Sequence, residues 1–394
     1  MRNALSAIVA AAAVAIGSAA PTPATAQQEL RIGLLTTLSG PGSGLGTDIR
    51  DGFRLGLEHL GGRLGGVPTV VIEADDARKP DVAVQKTDEM ISRDGIFLMT
   101  GQVWSNLTLA MMPTLARNRV FFISPNAGPS ALAGKQCNPW FFNTAWQNDN
   151  NHEATGAFVQ KQGYKSVYLL APNYPAGHDA IAGFKRYYEG EIKGEVYTPL
   201  GQLDYAAEIA NLRAAAPEAV FFFYPGGMGI SFIKQYAQAG LIEEIPLFGP
   251  AFSFSQDILR AVGEAAVGAY NGAQWSPDLD NELNKKFVAA FRETYGRLPS
   301  LYAAQGYDTA LVIDAAVRNA GADWSDKATF RKALESVVLE TTRGAFRFNV
   351  NHFPIQDFYV RRVVKLDDGT ITNRVVEKIF EDHADAYVGE CRMR

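Results

Sequence analysis

The chain has 394 residues, 47% of them hydrophobic and 20% charged, with a formal net charge of −5. Such a length exceeds one ordinary hydrophobic core and predicts two domains. The acidic balance and the lack of any basic run exclude nucleic acid and an anionic membrane surface as partners.

The N-terminus predicts export. Arg2 gives a positive start, Ala4–Ala20 is small and apolar, and Ala24-Thr25-Ala26 is an A-x-A cleavage site. Residues 1–26 therefore read as a secretory signal peptide, with a mature chain from Gln27. The run is short and alanine-rich, and Pro21 and Pro23 follow it, which argues against a membrane anchor. No cysteine near the cleavage site supports a lipid anchor, so the expected location is the periplasm, free in solution. Cys137 and Cys391 are the only two cysteines. In an oxidising compartment a lone pair of thiols normally forms a disulfide, here tying the C-terminal tail to the first third of the chain.

From residue 31 the pattern alternates strands and helices. Arg31–Thr37 is a predicted strand, and LSGPGSGLGTDIRDG follows as a glycine-rich connection. Phosphate binding is excluded by spacing: Thr47 stands where a G-x-G-x-x-G would need its third glycine, and no G-x-x-x-x-G-K-[ST] occurs. A predicted helix over Asp48–Leu60 places Ile49, Phe53, Leu57 and Leu60 on one face. Strands at Thr69–Ala74, Gly95–Thr100 and Val120–Ser124 alternate with helices at Ala83–Arg93 and Leu107–Arg117. Continuous apolar strands between amphipathic helices predict a parallel sheet covered on both faces.

The order then restarts, offset by about 130 residues, as a duplicated α/β lobe rather than a solenoid. Predicted strands are Ser166–Ala171, Glu195–Pro199, Ala219–Tyr224 and Pro246–Gly249, with helices at His178–Tyr188 and Ala206–Ala214 and a third ending at Ala239. Helices at Asn281–Tyr295, Tyr302–Ala320 and Lys327–Val337 follow, then the strand-like Gln356–Lys365 and a turn at Asp367-Asp368-Gly369.

No enzyme motif emerges. The five histidines, at 59, 152, 178, 352 and 383, are scattered without ligand spacing, so no metal site is expected. G-x-S-x-G is absent, no pattern pairs two carboxylates, and Asp75-Asp76 reads as a solvated helix start. No catalytic residue and no cofactor is assigned. What remains is a set of polar, glycine and aromatic residues just after predicted strands, where ligands of open α/β sheets bind. These are Ser39, Trp104, Ser105, Asn126, Ala127 and Gly128 in the first half, and Tyr174, Tyr224, Pro225, Ala251 and Phe252 in the second. Hydroxyls and backbone N–H groups suit a carboxylate, and aromatic faces suit an apolar body.

The segments IGLLTTLSGPGSGLGTDIRDGF, DDARKPDVAVQKTDEMISRDGI, GQVWSNLTLA, FISPNAGPS and GLIEEIPLFGP resemble, in order and spacing over residues 29–380, the type I periplasmic solute-binding proteins. The likeness is to the leucine/isoleucine/valine-binding branch that serves ABC importers. It implies two Rossmann-like lobes with parallel central sheets, joined by three hinge crossovers near Thr144–Gln147, Ala273–Pro277 and Arg343–Phe348. Residues 27–145 and 276–345 would form lobe 1, and 146–275 and 346–380 lobe 2, with 381–394 a tail tied to lobe 1. By position, Ser105 and the Asn126–Gly128 backbone match the family's clamp on the ligand carboxylate, and Tyr174 the aromatic that closes over the ligand. Ser39 belongs to the acid-binding rim, and Trp275 and Tyr307 join the aromatic walls. Two departures matter. Ala251 stands where amino-acid binders carry an acid for the ligand ammonium, and Gly128 where a hydroxyl assists it. A buried ammonium without a counter-charge is costly. LLAPNYPAGHDAIAGFKRYYEGE, QWSPDLDN and NHFPIQDFYVRRV resemble the sub-branch for benzoate-type and lignin-derived aromatic acids. The expected ligand is thus a small aromatic carboxylate, and the expected partners are the membrane permease subunits of an ABC importer, with the protein itself a monomer. The alternatives are a branched-chain or other amino-acid binder, a ligand-presenting sensory module, and a secreted α/β enzyme.

Overall fold

A computed structural model describes residues 28–393; the signal peptide and its cleavage site lie outside them. Two sheets organise the chain. The first has six strands: β1 (Leu30–Thr36), β2 (Arg63–Leu64), β3 (Val67–Asp75), β4 (Leu98–Thr100), β5 (Phe121–Ser124) and β6 (Phe141–Asn143). Their order is β2-β3-β1-β4-β5-β6, parallel apart from the β2–β3 hairpin. Helices α1 (Ser43–His59), α2 (Pro80–Ser92), α3 (Ser105–Arg117) and α4 (Ser130–Ala133) connect them. β1 shows why the strands are apolar throughout. Its Ile32 and Leu34 join one buried cluster, and Leu35 joins another on the opposite face, as a doubly covered parallel strand requires.

After α5 (Asn150–Gln162) the second sheet begins with β7 (Ser166–Pro172), β8 (Glu191–Thr198), β9 (Ala219–Phe222), β10 (Leu247–Pro250) and β11 (Tyr270–Ala273). Between them run α6 (Pro175–Arg186), α7 (Ala206–Ala215), α8 (Gly227–Gln238) and α9 (Gln256–Val262). The chain returns to the first lobe as α10 (Glu282–Tyr295), α11 (Leu301–Ala320) and α12 (Lys327–Glu335), and α11 lies along α1. It then closes the second sheet with β12 (Val338–Thr341), β13 (Gly344–Phe348), β14 (Pro354–Lys365) and β15 (Ile371–His383). The order is β12-β13-β14-β11-β10-β9-β7-β8, with β15 paired antiparallel to β14. This is the two-lobe α/β fold expected from the sequence, and the chain passes between its sheets three times.

Several elements differ from the sequence reading. α1 starts at Ser43, so much of the glycine-rich connection is its first turn. Those glycines admit close packing: a Cβ on Gly46 would lie 2.0 Å from the Thr37 carbonyl oxygen, and one on Gly52 1.9 Å from that of Ala303 in α11. Helices α4, α5 and α9 and strands β2, β6, β11, β12, β13 and β15 have no counterpart among the predicted elements.

Cys137 and Cys391 form the expected disulfide. The tail that carries Cys391 is also held by polar contacts. Asn351 Nδ2 donates to Asp385 at 2.9 Å, and the Tyr387 hydroxyl donates to Asp149 at the start of α5, also at 2.9 Å.

Candidate functional site

The two sets of strand ends face each other, and the lobes touch there. Helix α3 provides the polar end. Its N-cap is Trp104, with no side-chain cap, and its first residue is Ser105. A helix start of this kind presents N–H groups and a positive dipole end to an anion. The Ser105 hydroxyl accepts from Asn148 Nδ2 at 3.0 Å. The same amide donates to Asp179 of α6 at 2.8 Å, and Asn148 Oδ1 accepts from Gly128 N at 3.0 Å. Asp179 also accepts from the Ser130 backbone N–H at 3.1 Å and the Ser130 hydroxyl at 2.6 Å. Burial pushes its carboxyl above the ordinary range, while the bonds from Ser130 and Asn148 oppose that shift. This network fastens the first lobe to the second. Asn148 lies in none of the quoted segments, and Asp179 lies in one but is not singled out from it.

Trp104 is fixed from below. Its indole N–H donates to Thr37 Oγ1 at 2.9 Å, and that hydroxyl donates to Asp76 at 2.6 Å. Asp76 is fully buried rather than solvated; it also accepts from Gln102 Nε2 at 3.1 Å. Burial raises its carboxyl. The Arg78 guanidinium sits 5.7 Å from the centre of the Trp104 ring.

From Trp104 a chain of rings crosses the interface. Tyr174, the N-cap of α6, lies 6.3 Å from Trp104 and is stacked at the same separation on Phe223. Phe223 lies 6.3 Å from Phe252, which meets Tyr302 at 5.6 Å and Trp146 at 4.1 Å. His152 adjoins this wall, 5.0 Å from Phe223 and 5.8 Å from Trp146. The structure thus brings together Trp104, Tyr174 and Phe252 of the predicted set. It adds Trp146, His152, Phe223 and Tyr302, which the sequence reading did not place there.

Other predicted residues sit differently. The Asn126 side chain donates to Gln305 at 2.8 Å, and its carbonyl accepts from the Trp146 indole at 2.7 Å. The Ala127 N–H donates to the Gln102 carbonyl at 3.3 Å. The backbone amides of 127 and 128 are therefore engaged within the protein. Ala251 is buried, with its N–H on the Gly272 carbonyl at 2.7 Å. A Cβ on Gly128 would stand 2.3 Å from the Trp146 carbonyl oxygen, so the site has no room for a hydroxyl side chain at 128.

Four residues leave the aromatic cluster. Ser39 is exposed and its hydroxyl bonds to Asp75. Tyr224 points into the second lobe, 4.8 Å from Tyr205 and 5.4 Å from Phe232, and its hydroxyl accepts from Thr198 at 3.1 Å. Side chains alternate along a strand, so Phe223 takes the place expected for Tyr224. Trp275 donates to Asn284 at 2.8 Å and packs against Phe287. Tyr307 shares a 2.9 Å hydrogen bond with His59, at the far end of α1. Pro225 is buried beside Gly226, where an added Cβ would lie 3.6 Å from Leu45 of the first lobe. The Pro225-Gly226 turn before α8 and the glycine-rich start of α1 thus meet. Among the described residues no group of three or more side chains is arranged to hold a metal ion.

Two α/β lobes with an aromatic and polar cleft between them define a ligand-binding protein. The comparisons make the class specific: the periplasmic binding protein family matches residues 29–370, and the chain belongs to it. It is a binding protein, not an enzyme. The Leu/Ile/Val-binding protein homolog 6 of Brucella melitensis is 26% identical over 387 residues, covering 96% of this chain and 98% of the relative. Among solved structures, an ABC-transporter solute-binding protein from R. palustris in complex with benzoate is 30% identical, with a TM-score of 0.87. That match covers 93% of this chain and all of the other. A second, from Rhodopseudomonas palustris BisB5 in complex with 3,4-dihydroxybenzoic acid, is 29% identical, with a TM-score of 0.86, covering 91% and 99%.

Proposed function

We propose that this chain is the periplasmic substrate-binding component of an ABC importer and that its cleft takes a small aromatic carboxylate. The observation that carries the reading is the ring cluster Trp104–Tyr174–Phe223–Phe252 across the lobe interface, beside the uncapped start of α3 at Ser105. A benzoate-like ligand offers a ring to the first and a carboxylate to the second. Two positions agree. Ala251 carries no charge and position 128 has no room for a hydroxyl, so neither supplies the partner that a buried ammonium requires. Two related binding proteins crystallised with benzoate and 3,4-dihydroxybenzoic acid point the same way. The permease subunits of an importer are the partners this reading implies. The second reading, a branched-chain amino-acid binder, is favoured by the names of the Brucella relatives. Thermal-shift titration separates the two, because a ligand that binds only the folded state raises the melting midpoint. Benzoates are expected to raise it, and leucine, isoleucine and valine to leave it unchanged. Stabilisation by leucine with no response to any benzoate overturns the aromatic assignment.

A further inference from the structure

His152, on the first turn of α5, is fully buried, and neither ring nitrogen has a hydrogen-bond partner. Its neighbours are rings: Trp146 at 5.8 Å, Phe221 at 5.7 Å and Phe223 at 5.0 Å. The two phenyl groups offer no polar atom, and the Trp146 indole N–H is spent on the Asn126 carbonyl. Burial holds the imidazole neutral, with its pKa lowered to about 3. A neutral imidazole has one N–H to give and one lone pair to fill. Leaving both unmet away from water is costly, and native proteins rarely tolerate it without a function. Both Trp146 and Phe223 also touch Phe252 in the cleft, so the unmet imidazole adjoins the aromatic wall between two of its rings, on the second lobe. Ser105, at the carboxylate end, belongs to the first.

We infer that His152 reads a hydrogen-bonding substituent on the ligand ring, which makes hydroxylated benzoates, rather than benzoate itself, the preferred class. This deepens the aromatic-carboxylate reading and rests on it. A phenolic hydroxyl can donate to one imidazole nitrogen and accept from an imidazole N–H, so it fits either tautomer. The deciding experiment is calorimetric titration of the mature chain with benzoate, 3-hydroxybenzoate, 4-hydroxybenzoate and 3,4-dihydroxybenzoate, on the wild type and on His152→Phe. The best hydroxylated acid is expected to bind the wild type roughly tenfold or more tighter than benzoate, as a site built to bond a hydroxyl discriminates. In His152→Phe the ratio of the two affinities should close to about twofold. Should the variant not fold, side-chain nitrogen resonances of labelled histidine in the wild type decide the same point: those of His152 shift with the hydroxylated acid and not with benzoate. Equal or tighter binding of benzoate by the wild type overturns the inference and leaves the aromatic reading intact, as does a hydroxyl preference that survives in the variant. If no aromatic acid binds at all, the aromatic reading itself has failed.

Discussion

Ser105 joins the start of α3 to the network that crosses between the lobes. Its hydroxyl accepts from Asn148, leaving its own proton for a ligand oxygen. Ser105→Ala should weaken binding of an aromatic acid by about 1.5–3 kcal/mol, the range for hydrogen bonds to charged groups. The melting temperature of the empty protein should hardly move, because Asn148 Nδ2 keeps its bond to Asp179. Unchanged affinity in calorimetry would remove Ser105 from the site. Single residues also show where sequence reasoning reaches its limit. In AVFFFYP every side chain is apolar or aromatic, so the run has no polar alternation to say which face meets the cleft. Position after the strand favours Tyr224, yet Phe223 is the residue that faces Tyr174. On α11, Tyr302 and Tyr307 are equally plausible aromatics by composition. Only the helix's placement puts the first against Phe252 and sends the second to His59.

At the scale of elements, α1 explains the glycine-rich stretch without any anion. Gly46 and Gly52 let the helix press against β1 and α11, and Gly52→Ala would force a methyl to 1.9 Å from a backbone oxygen. That overpacking should cost about 1–3 kcal/mol in chemical denaturation. Gly44 is the matched control, since a Cβ there meets nothing within 4 Å. Gly44→Ala should be neutral or stabilise by up to about 1 kcal/mol through helix propensity. Equal losses in the two variants would refute the packing argument. Strands β1, β3, β4, β5, β7, β9 and β10 are legible because continuous apolar runs bounded by glycine and proline have few other uses. Helix α5 is not. Its first turn, Asn150-Asn151-His152-Glu153, reads as a polar loop, yet all four residues are buried. Three of them find internal partners: Asn150 donates to Glu153 at 3.1 Å, Asn151 donates to Gln274 at 2.8 Å, and Glu153 bonds to His383 at 2.6 Å. No periodicity announces a helix whose polar face points inward.

For the whole molecule, three polypeptide crossovers and one disulfide join the lobes. The disulfide closes a loop with a sequence separation of 254 between Cys137, ahead of β6 in the first sheet, and Cys391, beyond β15 of the second. Replacing both cysteines by serine should lower unfolding free energy by up to about 5.5 kcal/mol on the chain-entropy model. Denaturant titration of the double variant against the oxidised wild type measures this, and identical midpoints would contradict it. The bridge has a mechanical consequence as well. Only seven residues lie between His383, the last of β15, and Cys391, a leash of at most about 28 Å when fully drawn out. Opening the cleft must either keep within that tether or peel Asp385 and Tyr387 from their partners to lengthen it. A protease that severs one crossover between residues 137 and 391 would still leave a single covalent particle, which falls into two fragments only when a reductant is added.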